Sequence, residues 1–258
     1  MKISIVMAYH NRRQLLYTTL QTIAKSKHSD VEVIVVDDAS KEEERVESLC
    51  LEFPFLQVLR IEEPKRHVNP CIPYNKAIAN ATGDIIIIQN PECLHVHDIL
   101  AHAAQHINDD LIISYSAYAI DAESTSVIQE FVSENVFELY FRTLPQRYFM
   151  RGMGWYNHST WRPVYYHFCL ALSKTNMKKL GGFDERFADG YCFDDDEFVT
   201  RIKRLKSAFI IEDNLSVIHQ WHGKTKIPNQ ARLWAKNKEL YEQVSKEVTI
   251  KTKNRYEN

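Results

Sequence analysis

Four consecutive isoleucines, Ile85-Ile86-Ile87-Ile88, constrain the fold of this chain more than any other feature. Successive strand residues point to opposite faces, so an unbroken β-branched run reads as a strand buried on both sides. Val33 to Val36 repeats the pattern. Strands covered on both faces belong to parallel sheets with helices above and below. The surrounding sequence supplies those helices. Residues 3–8, 31–36, 55–61 and 84–88 read as strands. Residues 12–25, 73–81 and 98–107 read as helices, the first with Leu15, Leu16, Thr19, Leu20 and Ile23 on one side. Residues 41–51 read as a charged surface helix, with Ser40 as its cap and Glu43 three residues on. Strands alternating with helical patterns give βαβ units, so the first 120 residues predict an α/β architecture.

The later sequence is less regular. Residues 111–122 read as a longer strand, 167–173 and 215–218 as strands, and 175–180, 194–206 and 229–246 as helices. The aromatic-rich stretch 131–156, with Arg142, Arg147 and Arg151, fits no single pattern. No Pro-, Gly- or Ser-rich linker divides the chain, so 1–258 reads as one domain.

Composition removes several classes of function. The chain has 258 residues, 45% hydrophobic and 26% charged, which excludes a disordered or low-complexity protein. A net charge of −2 argues against a protein that grips a phosphate backbone, so no nucleic-acid partner is expected. Glycine occurs only 7 times, and neither G-x-G-x-x-G nor G-x-x-x-x-G-K is present. The five cysteines are odd in number and lack a C-x-x-C pair, which disfavours a disulfide framework and a thiolate zinc site. Residues 2–7 read as a strand rather than a secretory leader, and no apolar run approaches the ~18 residues of a membrane span. A cytoplasmic location is the expectation. The basic segment 246–255 reads as a solvated tail, with peripheral contact to an anionic membrane as the alternative. No pattern encodes an oligomeric state.

Open parallel sheets bind ligands beyond the C-terminal ends of their strands. Here those ends are Ala8-Tyr9-His10-Asn11, Asp37-Asp38 and Asn90-Pro91-Glu92. Asp37 or Asp38 can accept hydrogen bonds from a ribose or a base. Glu92, one carboxylate among neutral oxygens, suits Mg²⁺ or Mn²⁺ when ligand phosphates complete the shell; a plain proline turn is the alternative. Asp194-Asp195-Asp196-Glu197 opens a helix, where the dipole favours acids, but four in succession exceed what capping needs. One facing a pocket would serve as a general base. His219 and His222 follow a strand and are candidates for metal ligands or structural residues. His95, His97, His102 and His106 have zinc-like spacing. Ile99, Leu100, Ala103 and Ile107 define the buried face of that helix, however, so His102 and His106 point outward.

Taken in order, Ile3 to Arg12, Val35-Val36-Asp37-Asp38-Ala39-Ser40, Ala81-Thr82-Gly83-Asp84-Ile85-Ile86 and Gly181-Gly182-Phe183-Asp184-Glu185-Arg186-Phe187 resemble glycosyltransferase family two. The resemblance covers residues 3–220. It implies a GT-A (Rossmann-like) fold: a central, mostly parallel sheet flanked by helices, with an antiparallel acceptor-side extension. It also implies transfer from a nucleotide-sugar donor to a glycan or glycoconjugate acceptor, with inversion at the anomeric carbon and a UDP-sugar expected. Residues 1–120 would be the nucleotide-sugar-binding half, 121–225 the acceptor and catalytic half, and 226–258 a C-terminal helix and tail.

By the same resemblance, Ala8, Tyr9, Asn11, Asp37, Asp38, Asn90 and Glu92 would hold the donor. The family's D-x-D falls on Asn90-Pro91-Glu92 when Asp98 aligns with the downstream Asp, so only its last carboxylate is present. Glu92 and His219 would hold Mn²⁺ or Mg²⁺. The acidic pair before Arg201 falls on Asp194 and Asp195, making Asp195 the base and Asp194 the close alternative. Trp155, Trp161, Arg162 and His167 would face the acceptor, with core packing the competing role for the two tryptophans. On charge alone, and not from the resemblance, Lys65, Arg66 or Arg162 would share the charge of the leaving diphosphate. Two other readings compete. A nucleotidyltransferase would need a Gly-rich basic N-terminal loop, which Tyr9-His10-Asn11-Arg12 does not supply. A non-catalytic nucleotide-sugar-binding protein would explain the incomplete D-x-D but not the intact acids at 194–197.

Overall fold

A computed structural model of the chain describes residues 1–62, 65, 67–132, 136–223, 226–247 and 249–252. Strands β1 (Ile3–Tyr9), β2 (Val31–Asp38), β3 (Leu56–Ile61) and β4 (Ile85–Gln89) pair in parallel in the order β3-β2-β1-β4. The isoleucine run divides between the faces of this sheet. Ile85 and Ile87 join Leu16, Leu20 and Ile23 of helix α1 (Arg13–Ile23) in one core. Ile86 and Ile88 join Tyr74 and Ala77 of helix α2 (Cys71–Asn80) in the other. All four isoleucines are buried, and each stabilises the fold by roughly 1.5–3 kcal/mol.

The remaining elements extend the same sheet. In chain order they are β5 (Cys93–His95), α3 (Ile99–His106), β6 (Leu111–Ala119), α4 (Ala122–Phe131), α5 (Phe137–Thr143), β7 (Gly154–Asn157), β8 (Cys169–Ser173), α6 (Lys174–Leu180), α7 (Asp194–Ile202), β9 (Ala208–His219) and α8 (Gln230–Val244). The nine-stranded sheet runs β3-β2-β1-β4-β8-β6-β9-β5, with β7 on β6. β8 is antiparallel to β4, and β6 is antiparallel to β8. β9 runs parallel to β6, and β5 runs antiparallel to β9. Helix α6 ends in the left-handed Gly181 (φ 73°), a conformation that only glycine adopts freely.

Several expectations change. Residues 41–51 form two short 3₁₀ turns, Glu42–Glu44 and Glu47–Leu51, not one helix. The Ser40 cap does not form: Asp37 Oδ1 accepts the Ser40 backbone N–H, and the Ser40 hydroxyl accepts from the Asn11 backbone. The strand at 215–218 is the end of a 12-residue strand, β9, with a register shift opposite Tyr115 and Ser116. The stretch 131–156 holds α5 and the start of β7. All five cysteines are free. Arg66 and the end of the basic tail lie outside the described residues.

Candidate active site

β5 and β9 pair antiparallel with Cys93 opposite His219, and the Gln220 N–H donates to the Glu92 carbonyl. This register carries Glu92 to His219, 127 positions away in sequence terms but adjacent across the ladder. Glu92 Oε1 lies 3.3 Å from His219 Nε2, 3.3 Å from His222 Nε2 and 2.7 Å from Arg12 Nη1. The other oxygen, Oε2, is buried without a hydrogen-bond partner among the described residues. Burial alone would raise the Glu92 carboxyl. The Arg12 guanidinium, with His219 and His222, overcomes it and holds the group well below the usual carboxylate range.

Among the described residues, Glu92, His219 and His222 are the group able to hold a metal, with ligand atoms within 4.8 Å of one another. One carboxylate and two imidazoles with an orphaned oxygen form a donor set that fits a divalent ion. The histidines around α3 do not assemble: His95 pairs with Gln89, His97 accepts from the Ser216 backbone and His102 meets the Tyr115 hydroxyl. Asp98 caps α3 and binds Ser26, serving the fold.

The acidic run resolves into four separate environments, because successive helical residues diverge by ~100°. Asp194 is buried and accepts from Asn69 Nδ2 at 3.0 Å. Asp195 is one-third exposed (34%), and its Oδ1 lies 2.6 Å from His167 Nδ1. Asp196 accepts from the Tyr166 hydroxyl at 2.7 Å. Glu197 makes a buried two-pronged pair with Arg201, whose guanidinium also donates to the Leu180 and Gly182 carbonyls. Asp195 and Asp196 are both partly exposed with fixed partners; of the four acids, Asp195 is the one paired with a histidine. Burial, then the neighbouring Asp195 charge, raises the Asp194 carboxyl.

The turn that aims these acids is strained. Cys192 and Phe193 both have positive φ, at 62° and 68°, which costs roughly 1–3 kcal/mol per residue. Neighbours hold it there. Asn69 donates to the Cys192 carbonyl and accepts its N–H, while Asn237 of α8 donates to the same carbonyl at 2.8 Å. The Phe193 ring packs on Trp234 and Tyr241 of α8.

The strand-end residues are already engaged. Tyr9 is in the core, its hydroxyl donating to the Glu44 carbonyl and accepting the Arg12 N–H. The neighbouring His10, half-buried, lines a cavity of about 330 Å³ with Asn11, Arg12, Glu44 and His222. Its Nδ1 donates to the Asp38 carbonyl. Strand alternation decides this: Tyr9 continues the inward register of Ile5 and Met7, and His10 leaves the strand. Asn11, at φ 51°, accepts the Lys41 N–H, and Ala8 is partly buried against the second core. Asp37 pairs with Arg60 at 2.9 Å, and Asp38 with Lys65 and His67, each at 2.9 Å. Lys65 therefore sits on Asp38. Asn90 accepts from the Tyr74 hydroxyl at 3.0 Å.

Two acceptor expectations are corrected. Trp155 packs edge-on to Tyr118 and Phe141 in a third core, its indole N–H on Gln146. His167 is buried between Tyr74 and Phe183 and turned to Asp195, not to open space. Trp161 is exposed, and Arg162 stacks over Tyr156 and Tyr166. Asn69, Tyr74, His222 and Asn237 carried no local signal strong enough to mark all their roles. For His222, the spacing from His219 was the available clue. A larger groove of about 1040 Å³, lined by residues of α2 and α6, contains none of the candidate catalytic or metal-holding side chains.

Comparison with known proteins places this geometry in context. The chain is 31% identical over 119 residues to the glycosyltransferase YfnE of Bacillus subtilis (strain 168), covering 44% of this chain and 29% of that protein. It is 26% identical over 137 residues to YwdF of the same organism, covering 53% and 50%. The chain thus spans half or less of these relatives. Among solved structures it resembles S. aureus TarS 1-349 in complex with UDP-GlcNAc (TM-score 0.61, 16% identity, 87% of this chain and 60% of that one). It also resembles the mannosyltransferase PcManGT from Pyrobaculum calidifontis in complex with GDP-Man and Mn²⁺ (TM-score 0.54, 18% identity, 84% and 56%). The fold is therefore GT-A, as expected. The sequence profile of glycosyl transferase family 2 matches residues 4–166, and the chain belongs to that family.

Proposed function

We propose that this chain transfers a sugar from a nucleoside-diphosphate sugar, with a UDP-sugar first among candidates, to a glycan or glycoconjugate acceptor with inversion. One observation carries the proposal: Tyr74 joins the two chemical centres. Its hydroxyl reaches Asn90, two residues from Glu92, and its ring meets His167, the partner of Asp195. The nucleotide sugars bound by the structural relatives agree with such a donor. Residues 1–120 supply the donor side and 121–225 the base and acceptor side, and α8 braces the turn beneath the base.

In this reading, Asp195 takes the proton from the acceptor hydroxyl as that oxygen attacks the anomeric carbon. The bond from the anomeric carbon to the diphosphate breaks on the opposite face. Glu92, His219 and His222 would hold Mn²⁺ or Mg²⁺, which when bound offsets the negative charge of the diphosphate. Arg12 adds a fixed positive charge at the same carboxylate. Trp161 and Arg162 present an apolar plane and a cation to the acceptor. A second reading, donor binding without transfer, is favoured by one feature: Arg12 already pairs with the carboxylate that a metal would need.

The deciding experiment measures release of UDP or GDP from a panel of sugar nucleotides, with Mn²⁺ and with EDTA, for wild type, Asp195→Asn and Asp194→Asn. Turnover that depends on Mn²⁺ and vanishes in Asp195→Asn, with donor affinity near normal, supports transfer. Binding without turnover favours the second reading. If Asp194→Asn is dead and Asp195→Asn active, the base is Asp194. Failure to bind any donor overturns both readings.

A further inference from the structure

The His167 imidazole is enclosed. Tyr74 and Phe183 meet it edge-on, each with ring centroids 5.0 Å away, and among the described residues the charged partner of its Nδ1 edge is Asp195, with Oδ1 at 2.6 Å. A ring held this way cannot swing out to a sugar. It can hold a carboxylate still. We infer that His167 is a positioning residue for the base: its Nδ1–H donates to Asp195 Oδ1 and leaves Oδ2 free for the acceptor proton. This rests on the transferase reading above.

The surroundings favour the arrangement. Asp195 lies in the first turn of α7, where an unpaired carboxylate samples several rotamers. A bond to one oxygen selects a single direction for the other. The charged groups facing the ring are Asp195 and Asp194 of α7; α2 contributes the neutral Tyr74 and the chain before Glu185 contributes Phe183. Burial alone would favour the neutral imidazole. The two carboxylates outweigh it and raise the His167 pKa above that of an ordinary histidine.

The transfer step balances around this pair. The acceptor O–H proton moves to Asp195 Oδ2, and the acceptor oxygen forms its bond to the anomeric carbon. The electron pair of the breaking carbon–oxygen bond departs with the nucleoside diphosphate. His167 keeps its proton throughout. It lowers the barrier by orientation.

The test compares wild type, His167→Phe, His167→Asn and Asp195→Asn. Phe keeps the aromatic volume and removes the donor; Asn offers an amide N–H near the Nδ1 position. Turnover is followed as UDP or GDP release from UDP-GlcNAc and GDP-mannose across pH, and the His167 ring is titrated by NMR in wild type and Asp195→Asn. The expected result is a kcat loss of about 10- to 100-fold in His167→Phe, less than the ~10²–10⁴-fold of general-base catalysis itself because the carboxylate remains, with donor KM unchanged. His167→Asn recovers most of the loss. The ring titrates above ordinary histidine in wild type and falls in Asp195→Asn.

A folded His167→Phe with wild-type kcat overturns the inference. So does a ring that titrates identically with and without the Asp195 carboxylate. If His167→Phe does not fold, the ring titration decides. Failure of the transferase reading looks different: wild type releases no nucleotide from either donor, while the ring still responds to Asp195→Asn. That result removes the catalytic role and leaves only the ion pair.

Discussion

Arg12 Nη1 lies 2.7 Å from Glu92 Oε1, the oxygen that His219 and His222 also approach. A guanidinium therefore stands where the charge of a divalent ion would act. The arrangement makes Arg12 and a metal alternative sources of positive charge for one buried carboxylate. Replacing Arg12 by Met should destabilise the metal-free protein by about 1–3 kcal/mol, less than a fully buried pair because Arg12 is partly exposed. Added Mn²⁺ should then raise the Tm of Arg12→Met more than that of wild type, since binding to the native state stabilises it. Thermal unfolding with and without Mn²⁺ measures this. Equal shifts would mean that Arg12 and the ion do not compete.

Asp194 gives the fold a pH dependence of opposite sign to Glu92. Burial and the Asp195 charge raise its carboxyl to about 7. A raised folded pKa favours the protonated native state, so this contribution is full below the unfolded value near 4 and is lost as pH rises through 7. Asp194→Asn keeps an oxygen for the Asn69 amide and removes the charge. It should leave Tm near wild type at pH 5 and raise it at pH 8. Melting curves at the two pH values decide; a variant less stable at pH 8 than at pH 5, relative to wild type, refutes the assignment.

The two candidate acceptor tryptophans should separate cleanly. Trp155 is 3% exposed and packed against Tyr118 and Phe141; Trp161 is 40% exposed. Trp155→Ala should lower stability by about 3–5 kcal/mol, the range for truncating a core aromatic. Trp161→Ala should leave Tm within a degree or two and raise KM for the acceptor. Denaturant melts and acceptor titrations distinguish the two. A destabilised Trp161→Ala with unchanged acceptor KM would assign that ring to packing.

What could be read in advance follows from how local each signal is. Ile85 to Ile88 declares a doubly buried strand by itself, and the two cores receive alternate members of it. The acids at 37–38 and 194–197 announce themselves by type and position. Their individual environments do not: Asp194 meets Asn69 across 125 residues, and Asp38 meets Lys65 and His67 through a connection without a regular pattern. Tyr9 and His10 were separable only by strand register, which sends the first inward and releases the second. The segment 41–51 has helical composition, yet Asp37, Ser40 and Asn11 bond to one another and start a tighter turn. Trp155 and Trp161 look alike in sequence because no local pattern around either one tells a core ring from a surface ring.

Asn237 extends the base's support to the last helix. It is fully buried, and its amide donates to the Phe187 and Cys192 carbonyls at 3.0 and 2.8 Å. Gly190 leaves it room, because a Cβ there would lie 1.8 Å from Asn237 Oδ1. Removing the amide costs two hydrogen bonds, at about 0.5–1.5 kcal/mol each, because Asn69 still donates to the Cys192 carbonyl and the Gly190 N–H to the Phe187 carbonyl. The Cys192–Phe193 turn would lose one of the bonds that hold its positive φ values, and Asp195 follows that turn directly. Asn237→Ala should therefore lower Tm and also reduce kcat by roughly tenfold with donor KM unchanged, since displacing a reacting group by a fraction of an ångström weakens the transition state more than the ground state. Kinetics well below the variant's own melting transition separate the two effects. A variant with lowered Tm and wild-type kcat would confine Asn237 to stability and leave Asn69 as the support for the turn.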